Sequence, residues 1–292
     1  MTIPSLNKKT LGVLLAGFLA VGGAVSGLQA ESNGGNLAKI EFIEVPGGTF
    51  VMGSERPGDE FPPHEVTVGS FRLSKTEITE EQYMATTTES NDSRFQSLPG
   101  ASRLPAENMS WGEAIEYCNF LSLADGLELA YHIPGWLELL QGNPGVPIDV
   151  SKVERIPGAN GYRLPTEAEW EFAARGGPSA KGGMYIGGDN PETVAWYEAN
   201  SGEKPHEVGT KAPNELGLRD MAGNVAEWVW DWYGPYSKTH QTDPQGPAWG
   251  PGHVVRGGGW FGAGTDNLRP SFRTLNPGPG SNIGFRVVLP PR

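Results

Sequence analysis

The stretch that most constrains this chain is Gly161-Tyr-Arg-Leu-Pro-Thr-Glu-Ala-Glu-Trp-Glu-Phe-Ala-Ala-Arg-Gly-Gly177. Pro165 keeps the backbone before it extended. Thr166 is placed to cap a helix, and Glu169, three residues on, can reach back to complete a capping box. Trp170, Ala173 and Ala174 fall at i, i+3 and i+4, so they share one face and predict its burial. Arg175 falls in the last turn, where a cation suits the helix dipole, and Gly176 and Gly177 stop the helix. A helix this well specified fixes an element of the fold, but by itself it carries no chemistry.

The rest of the chain supplies shorter elements around it. Phe42 to Ser54 reads as two short strands joined by Pro46, Gly47 and Gly48. His64 to Leu73 alternates apolar and polar residues, which predicts one half-buried strand. Thr79 and Gln82 form a capping box at a short helix with Tyr83 and Met84, and residues 88–105 read as a surface loop. Ser110 and Glu113 form a second box, opening a helix whose Ala114, Cys118 and Leu121 make one stripe and which ends at Asp125-Gly126. Trp228, Trp230 and Trp232 alternate, so on a strand they point to one face, lining a groove or packing a core. Val254 to Trp260 and Ile283 to Val288 read as paired strands. Abundant Gly (42) and Pro (25), with Trp (9) spread along the chain, predict one loop-rich domain with aromatic anchors.

The first thirty residues stand apart. Lys8 and Lys9 precede an apolar run from Leu11 to Val25 that is short for a membrane span, and Ala30 is a plausible cleavage position. This pattern predicts a secretory signal peptide over 1–30, then a lead-in over 31–39, and places the mature protein in the periplasm. The formal net charge is −12, and it becomes more negative once the two lysines are removed. An acidic exported chain predicts neither nucleic acid nor, after signal cleavage, a membrane as partner. The single cysteine, Cys118, allows no internal disulfide, and its place in the helix stripe predicts a buried, unreactive thiol.

Tyr162 to Phe172 closely resembles the central motif of the formylglycine-generating-enzyme family, the sulfatase-modifying factors. Further strings carry the same resemblance: Val45-Pro-Gly-Gly-Thr-Phe, Val51-Met-Gly-Ser, His64-Glu-Val-Thr-Val, Met109-Ser-Trp and Tyr117-Cys-Asn-Phe-Leu-Ser. The resemblance implies a single irregular α+β domain over 40–292, similar to the C-type lectin fold and low in regular secondary structure. Residues 133–160, which contain Trp136, stand as an insertion against that pattern. They either shape a substrate groove or decorate the surface.

The resemblance also says what chemistry to look for. Formylglycine formation in the family uses a cysteine pair that binds copper, and soft thiolates select Cu(I). In register, Gly262 and Asn267 stand where those cysteines belong, which argues against that reaction. A second branch uses non-haem iron held by a His-rich domain, but the five histidines here are isolated from one another. By family register the site lies on the loop from Trp260 to Arg273. Asp266, Asn267 and Arg273 are its candidate catalytic groups, Asp266 as a general base if burial raises its pKa. Trp260 and Phe261 are candidate apolar walls, with Arg269 a third substrate-binding group. Alternatively, Arg256, Arg269 and Arg273 pair with acids to hold the fold. Asn224, Val225 and Glu227 match a family calcium site, which implies a structural Ca²⁺ on oxygen ligands. The alternative is a turn bonded without metal. No redox cofactor is identifiable.

Exported members without the cysteine pair are similar in length, signal peptide and acidity to this chain. Their role implies oxidation of dihydropyoverdine to the pyoverdine chromophore, with a small-molecule or peptidic siderophore precursor as substrate. The competing expectation is a non-catalytic, C-type-lectin-like binding module for a peptide, a glycan or a partner enzyme. The sequence leaves the oligomeric state open.

Overall fold

The computed structural model describes residues 39–87, 103–140, 149–262, 264–276 and 282–292. The expected signal peptide, most of the lead-in and most of the loop over 88–105 lie outside these residues. Among the described residues, no helix is long and apolar enough to cross a membrane.

The chain begins with strands β1 (Phe42–Val45), β2 (Gly48–Met52), β3 (His64–Val68) and β4 (Phe71–Ser74), then helices α1 (Glu80–Thr87) and α2 (Trp111–Ala124). Next come β5 (Tyr131–His132), α3 (Trp136–Leu140), β6 (Glu154–Arg155), α4 (Glu167–Ala174) and α5 (Pro191–Val194). Strands β7 (Ala226–Trp232), β8 (Gln241–Thr242), β9 (His253–Arg256), β10 (Arg273–Asn276), β11 (Ile283–Phe285) and β12 (Val288–Leu289) complete it. They form three small sheets, ordered β1-β4-β12, β10-β9-β7-β11 and β2-β3-β8, and a β5-β6 ladder. Short strands, few helices and long irregular connections make an irregular α+β domain, as the Gly and Pro content predicts.

The three capping boxes form as expected. Ser110 and Thr166 each accept from the backbone N–H of the residue three positions on, and Glu113 and Glu169 close their boxes. At α1, the Gln82 side chain accepts from the Thr79 N–H and the Thr79 hydroxyl from the Gln82 N–H. Asp125 caps α2, and Gly126 follows in the left-handed region at φ 67°. Cys118 is fully buried, and burial pushes its thiol pKa up, so it is unreactive.

Two strand expectations need correction. The His64–Leu73 segment is two strands, not one. The chain turns at Gly69-Ser70, β3 pairing with β2 and β4 with β1, so the segment passes from one sheet to another. The expected pairing of the Val254 and Ile283 segments does not occur. Strand β7 lies between them, antiparallel to β9 and parallel to β11. Trp228 on β7 is fully buried, which favours the core reading. Half-buried Trp230 stacks on Tyr131, and Trp232 on His253, which itself stacks on Trp111 at 3.6 Å.

Two groups of buried side chains make the core. One surrounds α2 and includes Tyr117, Trp228 and Phe285. The other surrounds α4 and includes Phe71, Trp170 and Val254. Ile133 and Trp136, in the expected insertion, are buried in the first, so this part of the segment is core rather than decoration. Residues 141–148 lie outside the described set.

Candidate functional site

The α4 helix departs most from a simple amphipathic reading. All eight of its residues are buried, including Glu167, Glu169 and Glu171. A buried carboxylate needs a cation and hydrogen bonds, and each of the three has both. Arg273 donates to both oxygens of Glu167 at 2.7 Å, and the Tyr236 hydroxyl donates at 3.0 Å. Arg163 holds Glu169 through two bonds of 2.7 and 2.6 Å. Glu171 accepts from Arg256, from Arg175 at 2.6 Å and from the Gly53 N–H at 2.9 Å.

Arg256 and Arg273 are direct register partners on β9 and β10. Two adjacent guanidiniums therefore face one helix, and the alternating glutamates make that arrangement favourable. Burial pushes the Glu167 carboxyl up, but the Arg273 and Arg256 charges outweigh it and hold it below its usual range. The same contest, with Arg163 as the cation, lowers Glu169. Arg273 is therefore committed to the interior, and its candidate catalytic role is not supported by its position.

The loop after β9 carries the other predicted site residues. Gly258 sits at φ 68° against Asn267, where a Cβ would lie 2.8 Å from the Asn267 Cβ, so the tight turn requires glycine. A Cβ built at Gly262 would lie 3.8 Å from the Asn267 Nδ2. The two positions thus face each other as a thiol pair would, but they hold a hydrogen and an amide.

The remaining candidates are largely engaged with partners of their own. Asp266 is 66% exposed and pairs with exposed Arg56 at 3.1 Å and with Arg269 at 3.6 Å, so it lacks the burial that the general-base reading requires. Arg269 is held by Glu60 through bonds of 2.6 and 2.5 Å. Burial pushes the Glu60 carboxyl up, but bonds from Arg269, Ser271 and Ser54 bring it down to about 2. Half-buried Trp260 donates from its ring nitrogen to Glu107 at 2.9 Å, while Phe261 is 66% exposed. The alternative reading of Arg256, Arg269 and Arg273, as cations paired with acids, is the arrangement observed.

The side-chain oxygens of Asn224 and Glu227, two of the expected calcium ligands, are engaged with protein partners. Both oxygens of Glu227 accept from fully buried Arg286 at 2.6 Å, and one also accepts from the Trp170 ring N–H at 2.8 Å. The Asn224 side chain accepts from the His206 N–H and donates to Glu77 at 2.7 Å. Val225 donates its N–H to Glu77 at 3.0 Å. Arg286 thus already supplies the positive charge that a cation would bring to Glu227. Among the described residues, no group of three or more His, Cys, Asp or Glu side chains is placed to hold a metal ion.

Sequence reading missed Glu60, Glu77, Glu107 and Asp231. Their partners are remote in sequence, so no local spacing marks them. Asp231 accepts the Glu167 N–H at 2.7 Å, and burial followed by the Glu167 charge raises its pKa to about 8. Glu77 is raised well above its usual value by burial, with Asp220 and Glu227 nearby.

Comparison with known proteins matches residues 30–290 to the sulfatase-modifying factor enzyme 1-like domain. The chaperone protein LppX of Paenibacillus barcinonensis is 35% identical, over 91% of this chain and 95% of that protein. The formylglycine-generating enzyme of Streptomyces coelicolor is 30% identical, over 84% of this chain and 88% of the enzyme. Among solved structures, Treponema denticola variable protein 1 superposes with a TM-score of 0.73 at 33% identity, covering 86% of this chain and 95% of its own. PvdO from Pseudomonas aeruginosa superposes with a TM-score of 0.60 at 23% identity, covering 85% and 94%, a likeness of fold.

Proposed function

The chain belongs to the sulfatase-modifying factor family, and from that membership we propose that it is a non-catalytic, exported binding module that holds a partner polypeptide. One observation carries this reading: positions 262 and 267 face each other where a reactive thiol pair would sit, yet hold Gly and Asn. The carboxylate of that loop, Asp266, is in solvent and paired with Arg56. What the loop does present is Phe261, 66% exposed beside Trp260 at a ring distance of 5.7 Å. An exposed aromatic suits contact with an apolar side chain of another protein. The likeness to a chaperone over nearly the full length of both chains supports a polypeptide partner.

A second reading keeps the chain as a siderophore-maturation protein acting on dihydropyoverdine in the periplasm. It is favoured by the fold likeness to PvdO and by the apolar N-terminal run. One pair of assays separates the two. The purified protein is expected to return dihydropyoverdine unchanged and to suppress aggregation of a denatured exported enzyme at near-equal molar amounts. Phe261→Ser is expected to weaken the suppression severalfold. Turnover of dihydropyoverdine, or no suppression, would overturn the binding-module reading.

A further inference from the structure

A polar cavity of about 260 Å³ lies on a different part of the molecule from the loop at Gly262. Its inner wall is the start of α4, with Arg163, Thr166 and Glu169. Ser70, Asp243 and Gln245 form an exposed rim. Arg155, on the short strand β6, contributes the remaining charge.

Most of these groups are already satisfied. Glu169 accepts two bonds from Arg163 and a third from the Thr166 N–H at 2.8 Å. Asp243 accepts the Gly69 N–H at 2.7 Å on one oxygen. Arg155 differs from the other arginines here. It is half-buried, yet among the described residues no hydrogen bond or ion pair reaches its guanidinium. Burial, with the Arg163 charge beside it, pulls its pKa below the ordinary value. An unpaired, partly desolvated guanidinium is costly to keep, and its planar fork matches the two oxygens of a carboxylate.

We propose that this cavity binds a small carboxylate carrying hydroxyl or amino groups, its carboxylate seated on Arg155 and its other polar groups facing Ser70, Asp243 and Gln245. The volume suits a small molecule and not a folded partner. The free oxygen of Asp243 offers an acceptor for a ligand hydroxyl or ammonium, while Ser70 and Gln245 add neutral polar contacts. Glu169 and Asp231 act on Arg155 only through space, so the anion supplies the direct two-oxygen partner that its guanidinium lacks. This site goes beyond the polypeptide-binding reading and does not rest on it.

Titration calorimetry on the intact protein tests the proposal, with sodium L-glutamate, D-gluconate and inorganic phosphate as separate probes at matched ionic strength. Saturable one-to-one binding is expected for at least one of the two carboxylates. Arg155→Gln should weaken it at least about tenfold, and Arg155→Lys less, since charge remains but the fork is lost. Gln245→Glu, a rim change that places a negative charge at the mouth, should weaken it too, and serves if Arg155→Gln folds poorly. Arg56→Gln and Phe261→Ser should leave it unchanged, so loss of partner binding is read separately. No saturable binding by either carboxylate, binding of phosphate alone, or carboxylate binding that survives both Arg155→Gln and Gln245→Glu would overturn the proposal.

Discussion

The interior around α4 and the loop from Gly258 to Arg269 use charge in opposite ways. In the interior, Glu167, Glu169 and Glu171 are removed from water, and each is bound to arginine. On the loop, Asp266 and Arg56 form an ion pair that stays hydrated, at 66% and 56% exposure. Coulomb attraction is strong where water is excluded and weak where it is not. The buried pairs therefore define the fold, while the exposed part of the loop around Asp266 carries little of its stability.

The largest test of this contrast is to strand a buried charge. Glu171→Ala leaves Arg256 without its main counter-charge and should cost about 3–5 kcal/mol in urea unfolding. A cost below about 1 kcal/mol would erase the distinction between the two regions.

The second test uses pH. The folded pKa of Asp231, about 8, lies above its ordinary 3.8, so the folded state holds the proton more tightly. Its contribution to stability is complete below the unfolded value and is lost as pH rises through about 8, with a slope of up to about 1.4 kcal/mol per pH unit. Asp231→Asn should abolish that loss, which spans the range between 3.8 and about 8, in urea melts. Glu60 runs the other way: its stabilisation is present above 4.5 and disappears as pH falls through about 2.

A smaller effect is expected on the loop. Restoring the thiol pair with Gly262→Cys and Asn267→Cys places a side chain at φ 123°, which should cost about 1–3 kcal/mol. The double variant should gain Cu(I) affinity over the native chain, read by thiolate absorbance. The smallest effect belongs to Asp266→Asn, expected to change stability by less than about 1 kcal/mol. It should also leave aggregation suppression intact; a sharp functional loss would return Asp266 to the site.

What the sequence made legible was local. The three capping boxes at Thr79, Ser110 and Thr166 form because cap and partner lie within one turn. The buried Cys118 and the stop at Gly126 follow from helix periodicity and backbone sterics in the same way. Pairing between remote segments was not legible. Nothing in the His64–Leu73 alternation shows that the chain changes sheets at Gly69, because alternation reports faces and not partners. Asn224 and Glu227 resemble calcium ligands in their local order, yet Glu227 meets Arg286, which lies 59 residues away. The pairing of Arg273 was hidden for the same reason: it sits near Asp266 in sequence, but its partner is Glu167, 106 residues earlier.

Those long separations also bear on how the molecule is assembled. Glu167 and Glu171 are made well before their cations: Arg256 follows Glu171 by 85 residues, and Arg273 follows Glu167 by 106. The last strand, β12, then closes onto β4, near the opposite end of the chain. A nascent polypeptide that stops short of residue 256 carries two acids without the cations that hold them in the interior. Synthesis must finish before the interior can close, and a cut in the C-terminal third should release the whole domain to proteases rather than leave a stable half behind.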